Sequence, residues 1–222
     1  MMKKLICVLL AVLMFCSCAL AEKVYVTIVD ENGDIAVACK AYDVSDADGD
    51  GVVSINDVLY TAHETDFEGG AEAGYTSAAT DYGMSLRQLW GGAVGDSYGY
   101  YVNNASAYSL LDAVKDGDYI AAYAYSDLET WSDTYCFFDC IALGTDAEFE
   151  LFLTAQTFDA NWNPVNVPVE GAMITANGED TGIVTDADGK AVVTLNEKGE
   201  YLISAYSTEM TLVPPVCIAT IG

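Results

Sequence analysis

The chain is short of positive charge: 8 Lys and Arg stand against 34 Asp and Glu in 222 residues, a formal charge of −26. That deficit excludes nucleic-acid binding, which needs clustered cations to displace phosphate counterions, and attraction to anionic membranes. Histidine is rarer still, with His63 alone. A Cys/His metal centre and a Ser/His/Asp relay therefore have little to draw on, and no phosphate-cradling Gly loop or metal-hydrolase helix is written in the chain. Cysteine is sparse for an exported chain: Cys39, Cys136, Cys140 and Cys217 lie beyond the first 21 residues. Four cysteines permit three pairings, and nothing in their spacing chooses among them. The Cys136-x3-Cys140 spacing amid Tyr135, Phe137 and Phe138 puts the two sulfurs about 13 Å apart along a strand, which favours buried thiols over a zinc pair.

Acidity does not make the chain disordered, because 52% of its residues are apolar and enough of them are β-branched or aromatic to fill cores. The start reads as a secretory signal over residues 1–21. MMKK is basic, LICVLLAVLMF is apolar, and Ala19-Leu20-Ala21 offers small residues to a peptidase cutting before Glu22. The apolar run is shorter than the roughly 20 residues that cross a bilayer, so no transmembrane span is expected after cleavage. A lipoprotein anchored through Cys18 is the alternative. Cleavage leaves 6 basic against 34 acidic residues, a net −28.

Residues 24–42 predict a β-hairpin, with VYVTIV and IAVACKAY joined by a turn containing Asn32-Gly33. A helix is expected next, because Ile55, Val58, Leu59 and Ala62 share one face and Ser54 with Asp57 fits a capping box. His63 reads as a packing or surface residue at the edge of that face. Residues 68–84 read as a Gly- and Ala-rich loop, Ser85–Trp90 as a short helix, and Ser109–Val114 as one or two helical turns. Tyr98–Val102 and Tyr119–Asp127 read as strands. From Phe149 onward FELFLTAQTF, AMITA, GIVT, KAVVTL and EYLISAYS alternate between turn residues, which predicts a small sandwich. The expected organisation is a signal at 1–21, an α+β domain at 22–145 and an all-β, Ig-like sandwich at 146–222, with the boundary near 143–147.

The motif with chemistry is DADGDGVVSIND at 46–57. A 12-residue calcium loop needs side-chain oxygens at positions 1, 3 and 5, Gly at 6, a carbonyl at 7 and a closing acid at 12. Asp46, Asp48, Asp50, Gly51, Val52 and Asp57 fill those slots, and Ser54 stands at position 9. The predicted metal ligands are Asp46, Asp48, Asp50, Val52, Ser54 and Asp57, and the predicted cofactor is Ca2+. Asp at position 12 is shorter than Glu, and extracellular loops work at roughly 10⁻⁴ to 10⁻³ M calcium. A second DADG at 186–189 is followed by Lys190 and Ala191. A cation in the coordination sphere and a Cβ in the sharp turn argue that this one is only a β-turn.

The loop with its helix, DVSDADGDGVVSINDVLYTAHE, resembles half of a dockerin. The order of the first hairpin, the DVLYTA helix, Gly99-Tyr100-Tyr101-Val102-Asn103 and Lys115-Asp116-Gly117-Asp118 before YIAAYAY resembles the transcobalamin-like C-terminal domain of secreted bacterial proteins. That resemblance covers about half of the chain and implies a β-grasp-like α+β fold. It also implies, as one alternative, a cobalamin-like small-ligand carrier. Residues 148–222 resemble carboxypeptidase-regulatory or Ig-like surface modules, which implies a spacer or adhesion role.

Fifteen Tyr and three Trp raise the question of an aromatic binding face, with Trp90, Tyr98, Tyr100, Tyr101 and Trp131 as the candidate ligand-binding residues and Tyr123 and Tyr125 beside them. Alternate Tyr on a half-buried sheet explains the same pattern by packing. The functional expectation is a secreted or cell-surface, non-enzymatic binding or adhesion protein with one structural calcium, whose partner is an unknown glycan, protein or small molecule. A cobalamin-like carrier and a dockerin-like accessory of a secreted hydrolase are the alternatives.

Overall fold

The computed structural model describes residues 21–222. The signal at 1–21 and the Cys18 alternative thus lie outside the described residues, apart from Ala21. Strands β1 (Glu22–Val29) and β2 (Ile35–Val44) form the first hairpin. Asp30 organises its turn, its carboxylate accepting from the N–H groups of Asn32 at 2.8 Å and Asp34 at 3.0 Å, while Gly33 takes the left-handed φ of +79° that a side chain resists. After the acidic loop come α1 (Ile55–Asp66), the single turn α2 (Gly70–Gly74), and a separate hairpin of β3 (Thr76–Thr80) and β4 (Gly83–Gln88). Then follow β5 (Tyr98–Val102), β6 (Ala105–Ser106) and β7 (Tyr119–Ala124).

The first sheet has the order β2-β1-β7-β5-β6, with β1 and β7 parallel and the other neighbours antiparallel. Pleating divides its side chains between two cores. Val24, Val26, Ile28, Ile120 and Ala122 face the α1 stripe of Ile55, Val58, Leu59 and Ala62, all four of which are fully buried. Fully burying an aliphatic side chain of the Val, Leu or Ile type stabilises by about 1.5–3 kcal/mol, so the stripe fixes the helix to the sheet. The opposite face carries Val29, Tyr101, Tyr119, Ala121 and Tyr123, packed against Tyr135 and Val213. Coverage on both faces explains why every residue of β7 is buried.

The second half is built from β8 (Cys136–Phe138), β9 (Ala142–Thr145), β10 (Glu148–Phe158), β11 (Pro164–Pro168), β12 (Met173–Ala176), β13 (Glu179–Val184), β14 (Lys190–Thr194), β15 (Gly199–Tyr206) and β16 (Cys217–Ile221). One sheet runs β11-β10-β14 with β8 also on β10, and the other runs β13-β12-β15-β16-β9. Phe149, Leu151, Leu153 and Val193 of the first sheet meet Ile174, Ile203, Cys217 and Ala219 of the second in one core, so the chain is mostly β and ends in a two-sheet sandwich. Strands β8 and β9, ahead of residue 146, are hydrogen-bonded into this sandwich.

Three local expectations are corrected. Ser85–Trp90 is not a helix: its main part is β4, paired with β3 inside the segment read as a loop. Leu86 and Leu89 are helix-spaced, yet both reach the core from extended backbone. Ser109–Val114 is a series of turns rather than helix. Its carbonyls serve α1 instead, Leu110 accepting from Asn56 N–H at 2.8 Å and Asp112 from Ile55 N–H at 3.1 Å, which satisfies two of the donors that a helix start leaves unpaired.

Candidate functional site

The acidic loop sits between β2 and α1, and the helix cap shapes it. Ser54 is the N-cap, its hydroxyl accepting from Asp57 N–H at 3.4 Å while the Asp57 carboxylate accepts from Ser54 N–H at 2.9 Å and from its hydroxyl at 2.7 Å. The other Asp57 oxygen accepts from Ala47 N–H at 3.0 Å, which ties the loop entrance to the helix. Of the six predicted ligands the structure gathers three: carboxylate oxygens of Asp46, Asp48 and Asp50 lie within 4.8 Å of one another. Asp57, predicted as the closing ligand, stands outside that group because it is buried and held in the cap. Ser54 is likewise engaged by Asp57, and Val52 is exposed with its N–H on the Asp50 carboxylate at 2.8 Å.

The loop winds around Asp46. Backbone N–H groups of Gly49, Asp50 and Gly51 donate to its carboxylate at 2.7, 3.2 and 2.8 Å, and Gly49 and Gly51 have φ of +78° and +94°. The bond from Gly51 above all holds Asp46 below the usual carboxylate range, outweighing desolvation together with the bond from Gly49, the one shared with Asp48 and the one from Asp50. Asp48 goes the other way. The Asp50 N–H lowers it, but desolvation, the charges of Asp50 and Asp57 and the bond shared with Asp46 outweigh that and push it up. Crowded negative charge is what a bound divalent cation relieves, and Asp46, Asp48 and Asp50 offer the hard oxygen donors that calcium takes.

His63 is fully buried on α1. Its Nδ1 lies 2.6 Å from the Leu59 carbonyl, and its Nε2 accepts from Trp90 N–H at 2.9 Å, an arrangement that requires the neutral ring with the proton on Nδ1. Burial lowers its pKa to about 4 despite the opposing effect of the Leu59 carbonyl. With both nitrogens engaged, the chain's single His has no lone pair for a metal such as cobalt.

The five candidate ligand-binding aromatics divide. Trp90 packs at 5.0 Å from the His63 ring and at 5.3 Å from Phe67. Tyr101 stacks on Tyr135 with ring centroids 3.6 Å apart, inside the contact between the first sheet and the sandwich. Tyr101 is thus held in packing, whereas half-buried Trp90 also borders an open hollow of about 560 Å³ with Lys40 and Asp66. Tyr98 and Trp131 line an open hollow of about 480 Å³ with Asp96, Ser97 and Tyr125. Tyr98 and Tyr100 line a second hollow with Tyr82, Arg87 and Asp96, so the two meet at Asp96 and Tyr98. Arg87 and Asp96 form an ion pair there.

The sheet and loops position these groups. Tyr98 is fixed by its hydroxyl, which accepts from Val94 N–H at 3.0 Å and donates to the Arg87 carbonyl at 2.9 Å. Trp131 is 66% exposed and has φ +54°, uncommon for so bulky a residue. Asp127 holds its loop, accepting from the N–H groups of Glu129, Thr130 and Ser132 and from both hydroxyls, and the Thr130 hydroxyl first of all lowers its pKa. Tyr82, 92% exposed at the β3–β4 turn, belongs to a hairpin that local sequence patterns do not signal.

Asn103 and the Lys115–Asp118 turn form a lock. Asn103, with φ +50°, donates to the Asp118 carboxylate at 2.9 Å and accepts from Tyr119 N–H at 2.9 Å, joining the β5 turn to the start of β7. Asp116 accepts from Lys23 N–H at 3.0 Å. The second Asp118 oxygen accepts from Lys115 N–H at 3.0 Å, so both acids of the Lys115–Asp118 turn bind backbone.

No protein-family model matches the chain, and no curated protein matches it. Among solved structures it is similar to the N-terminal four Ig domains of Dscam1, isoform 9.44, at 11% identity and TM-score 0.25, over 92% of this chain and 44% of that one. Isoform 4.44 gives 12% identity and TM-score 0.24 over 92% and 45%. Murine CEACAM1b gives 11% identity and TM-score 0.20 over 90% and 99%. The chain thus spans under half the length of the two Dscam1 fragments. TM-scores this low establish no shared fold, and the strand order above is what defines the sandwich.

Proposed function

We propose that this chain is an exported, non-enzymatic binding protein whose ligand face is the pair of aromatic hollows meeting at Tyr98, and whose acidic loop takes one structural calcium. The single observation that carries the reading is the convergence of Tyr82, Tyr98, Tyr100 and Trp131 around the Arg87–Asp96 ion pair. Aromatic faces with a few oriented polar groups suit a ligand with both flat apolar and hydroxylated surfaces, and a glycan has that chemistry. Calcium would sit on Asp46, Asp48 and Asp50, with the Val52 carbonyl and water completing its shell, and Asp57 would clamp the loop from behind. The chemistry it supplies is neutralisation of the crowded carboxylates. Among the described residues no helix is long and apolar enough to cross a membrane, which is compatible with a chain released outside the cell or held at its surface.

In this reading the first body is an α+β, β-grasp-like domain and the second an Ig-like sandwich, divided between Ala124 and Cys136. A glycan array probed with the purified chain and with Trp131→Ala tests the ligand face. Binding that falls at least tenfold in the variant supports it. Undiminished binding by Trp131→Ala and Tyr100→Ala variants, or an array with no bound glycan, overturns it.

A further inference from the structure

The four cysteines of the described residues are all free, but they are not equivalent. Cys140 follows β8 and Cys217 opens β16, and their sulfurs lie 3.7 Å apart although 77 residues separate them in sequence. The residue after each cysteine is already locked, Ile218 N–H donating to the Ile141 carbonyl at 2.9 Å just ahead of the parallel β9–β16 ladder. Parallel neighbours offset by one residue have Cα atoms on the order of 6 Å apart, inside the range that a disulfide spans. Cys136 is elsewhere engaged, fully buried with its S–H on the Val213 carbonyl at 3.1 Å. Cys39 lies on β2 with φ +44° and its N–H on the Thr27 hydroxyl at 3.0 Å. Among the described residues no cluster of three metal-ligating side chains includes Cys140 or Cys217, so the pair lacks the donors of a closed metal site.

We propose that Cys140 and Cys217 are a redox pair that closes to a disulfide, clamping the entry of the sandwich to its last strand. The edge strand β9 gives the bond its purpose: four residues long, it pairs with β16 on one side only, and it carries the connection from the first body. Cys140 is only half-buried whereas Cys217 is fully buried, so Cys140 is the sulfur an external oxidant reaches and acts as the nucleophile, its pKa lowered by the contact with Cys217, while burial raises Cys39 to about 11 and Cys136 higher. The step takes an external disulfide as oxidant. The Cys140 thiolate attacks one of its sulfurs and expels a thiolate, giving a mixed disulfide. Cys217 then loses its proton and attacks the Cys140 sulfur, expelling the second thiolate. The protein gives up two protons and two electrons, and the oxidant leaves as two thiols. The inference requires neither the aromatic face nor the calcium loop.

Incubating the purified chain with oxidised glutathione, blocking residual thiols with iodoacetamide and cleaving before aspartate tests it, because the cut before Asp139 separates Cys136 from Cys140. The expected result is one linked pair of peptides carrying Cys140 and Cys217, and a melting temperature that falls by about 10 °C on reduction, as closing so long a loop implies. A Cys140→Ser chain should lose that redox-dependent shift, while Cys39→Ser keeps it. Alkylation of both Cys140 and Cys217 after oxidation, or a link through Cys39 or Cys136 instead, overturns the proposal whether or not the serine variants fold.

Discussion

Two loops of this chain begin with Asp-Ala-Asp-Gly, at 46–49 and at 186–189. In both, the first aspartate accepts from the N–H of the fifth residue, Asp50 at 3.2 Å in one and Lys190 at 3.0 Å in the other. There the likeness stops. Gly49 N–H donates to the Asp46 side chain, so the first loop coils around a carboxylate. Gly189 N–H donates to the Asp186 backbone carbonyl at 2.9 Å, and Asp186 N–H to the Lys190 carbonyl at 2.9 Å, so the second closes as a tight turn where the chain crosses from β13 in one sheet to β14 in the other. Lys190 then pairs with Glu150 of β10 at 2.6 Å. The fifth residue thus makes the difference: Asp50 adds a third negative charge to a cluster, whereas Lys190 brings the chain's own cation and a strand. Sequence motifs of this kind are decided by the charge that completes them and by the element that follows.

The largest separation of the two loops should come from their glycines. A Cβ on Gly189 would collide with the Leu153 carbonyl and press on Pro168 at φ +73°, whereas at Gly49, with φ +78°, nothing lies within 4 Å. Gly189→Ala should destabilise by about 3 kcal/mol or more and Gly49→Ala by about 1 kcal/mol, read from urea unfolding midpoints. Equal effects would mean that packing does not distinguish the turns.

Acid should act on the helix side of the comparison next. His63 is neutral when folded, with its pKa lowered to about 4, against about 6.5 unfolded. The unfolded chain binds the proton first, so the stability from this site is complete above about pH 6.5 and is lost progressively down to about pH 4, a total of about 3 kcal/mol. A stability-pH profile of His63→Gln should lack that slope. An unchanged slope would remove the assignment.

Calcium at about 10 mM should stabilise the chain by about 1–3 kcal/mol if its affinity is typical of extracellular loops. The shift in melting temperature between EDTA and calcium should vanish in Asp46→Ala/Asp50→Ala and persist in Asp186→Ala. Asp57→Ala should cost about 1–2 kcal/mol without calcium, because it removes the cap and leaves Ala47 and Ser54 N–H groups unpaired. Lys190→Ala should be the smallest change, within about 1 kcal/mol, since the pair is solvent-exposed. A larger loss would show that the second loop depends on its cation.

Much of the scaffold around these loops is legible one element at a time. The first hairpin follows from alternation and Asn32-Gly33, α1 from its stripe and the Ser54–Asp57 box, and the strands after Phe149 from their regular turns. The β3–β4 hairpin is not legible, because Thr76–Thr80 is small and polar and Leu86 with Leu89 imitates a helical face. The aromatic face is only partly so. Tyr98, Tyr100 and Tyr101 are consecutive candidates on one strand, but pleating turns Tyr101 into the contact with Tyr135 and leaves the other two with Tyr82, which comes from the unseen hairpin.

The sequence by itself determined the acidity, the hairpin, the capped helix and the convergence of Asp46, Asp48 and Asp50, because each depends on charge counts or on contacts within a few residues. Only the tertiary structure decided that Asp57 clamps the loop, that His63 is neutral, which aromatics face solvent, and that Cys140 meets Cys217. Those outcomes rest on which face of a strand or helix is covered and on neighbours from ten residues away, as Ala47 is from Asp57, to 77, as Cys217 is from Cys140, which no local pattern encodes.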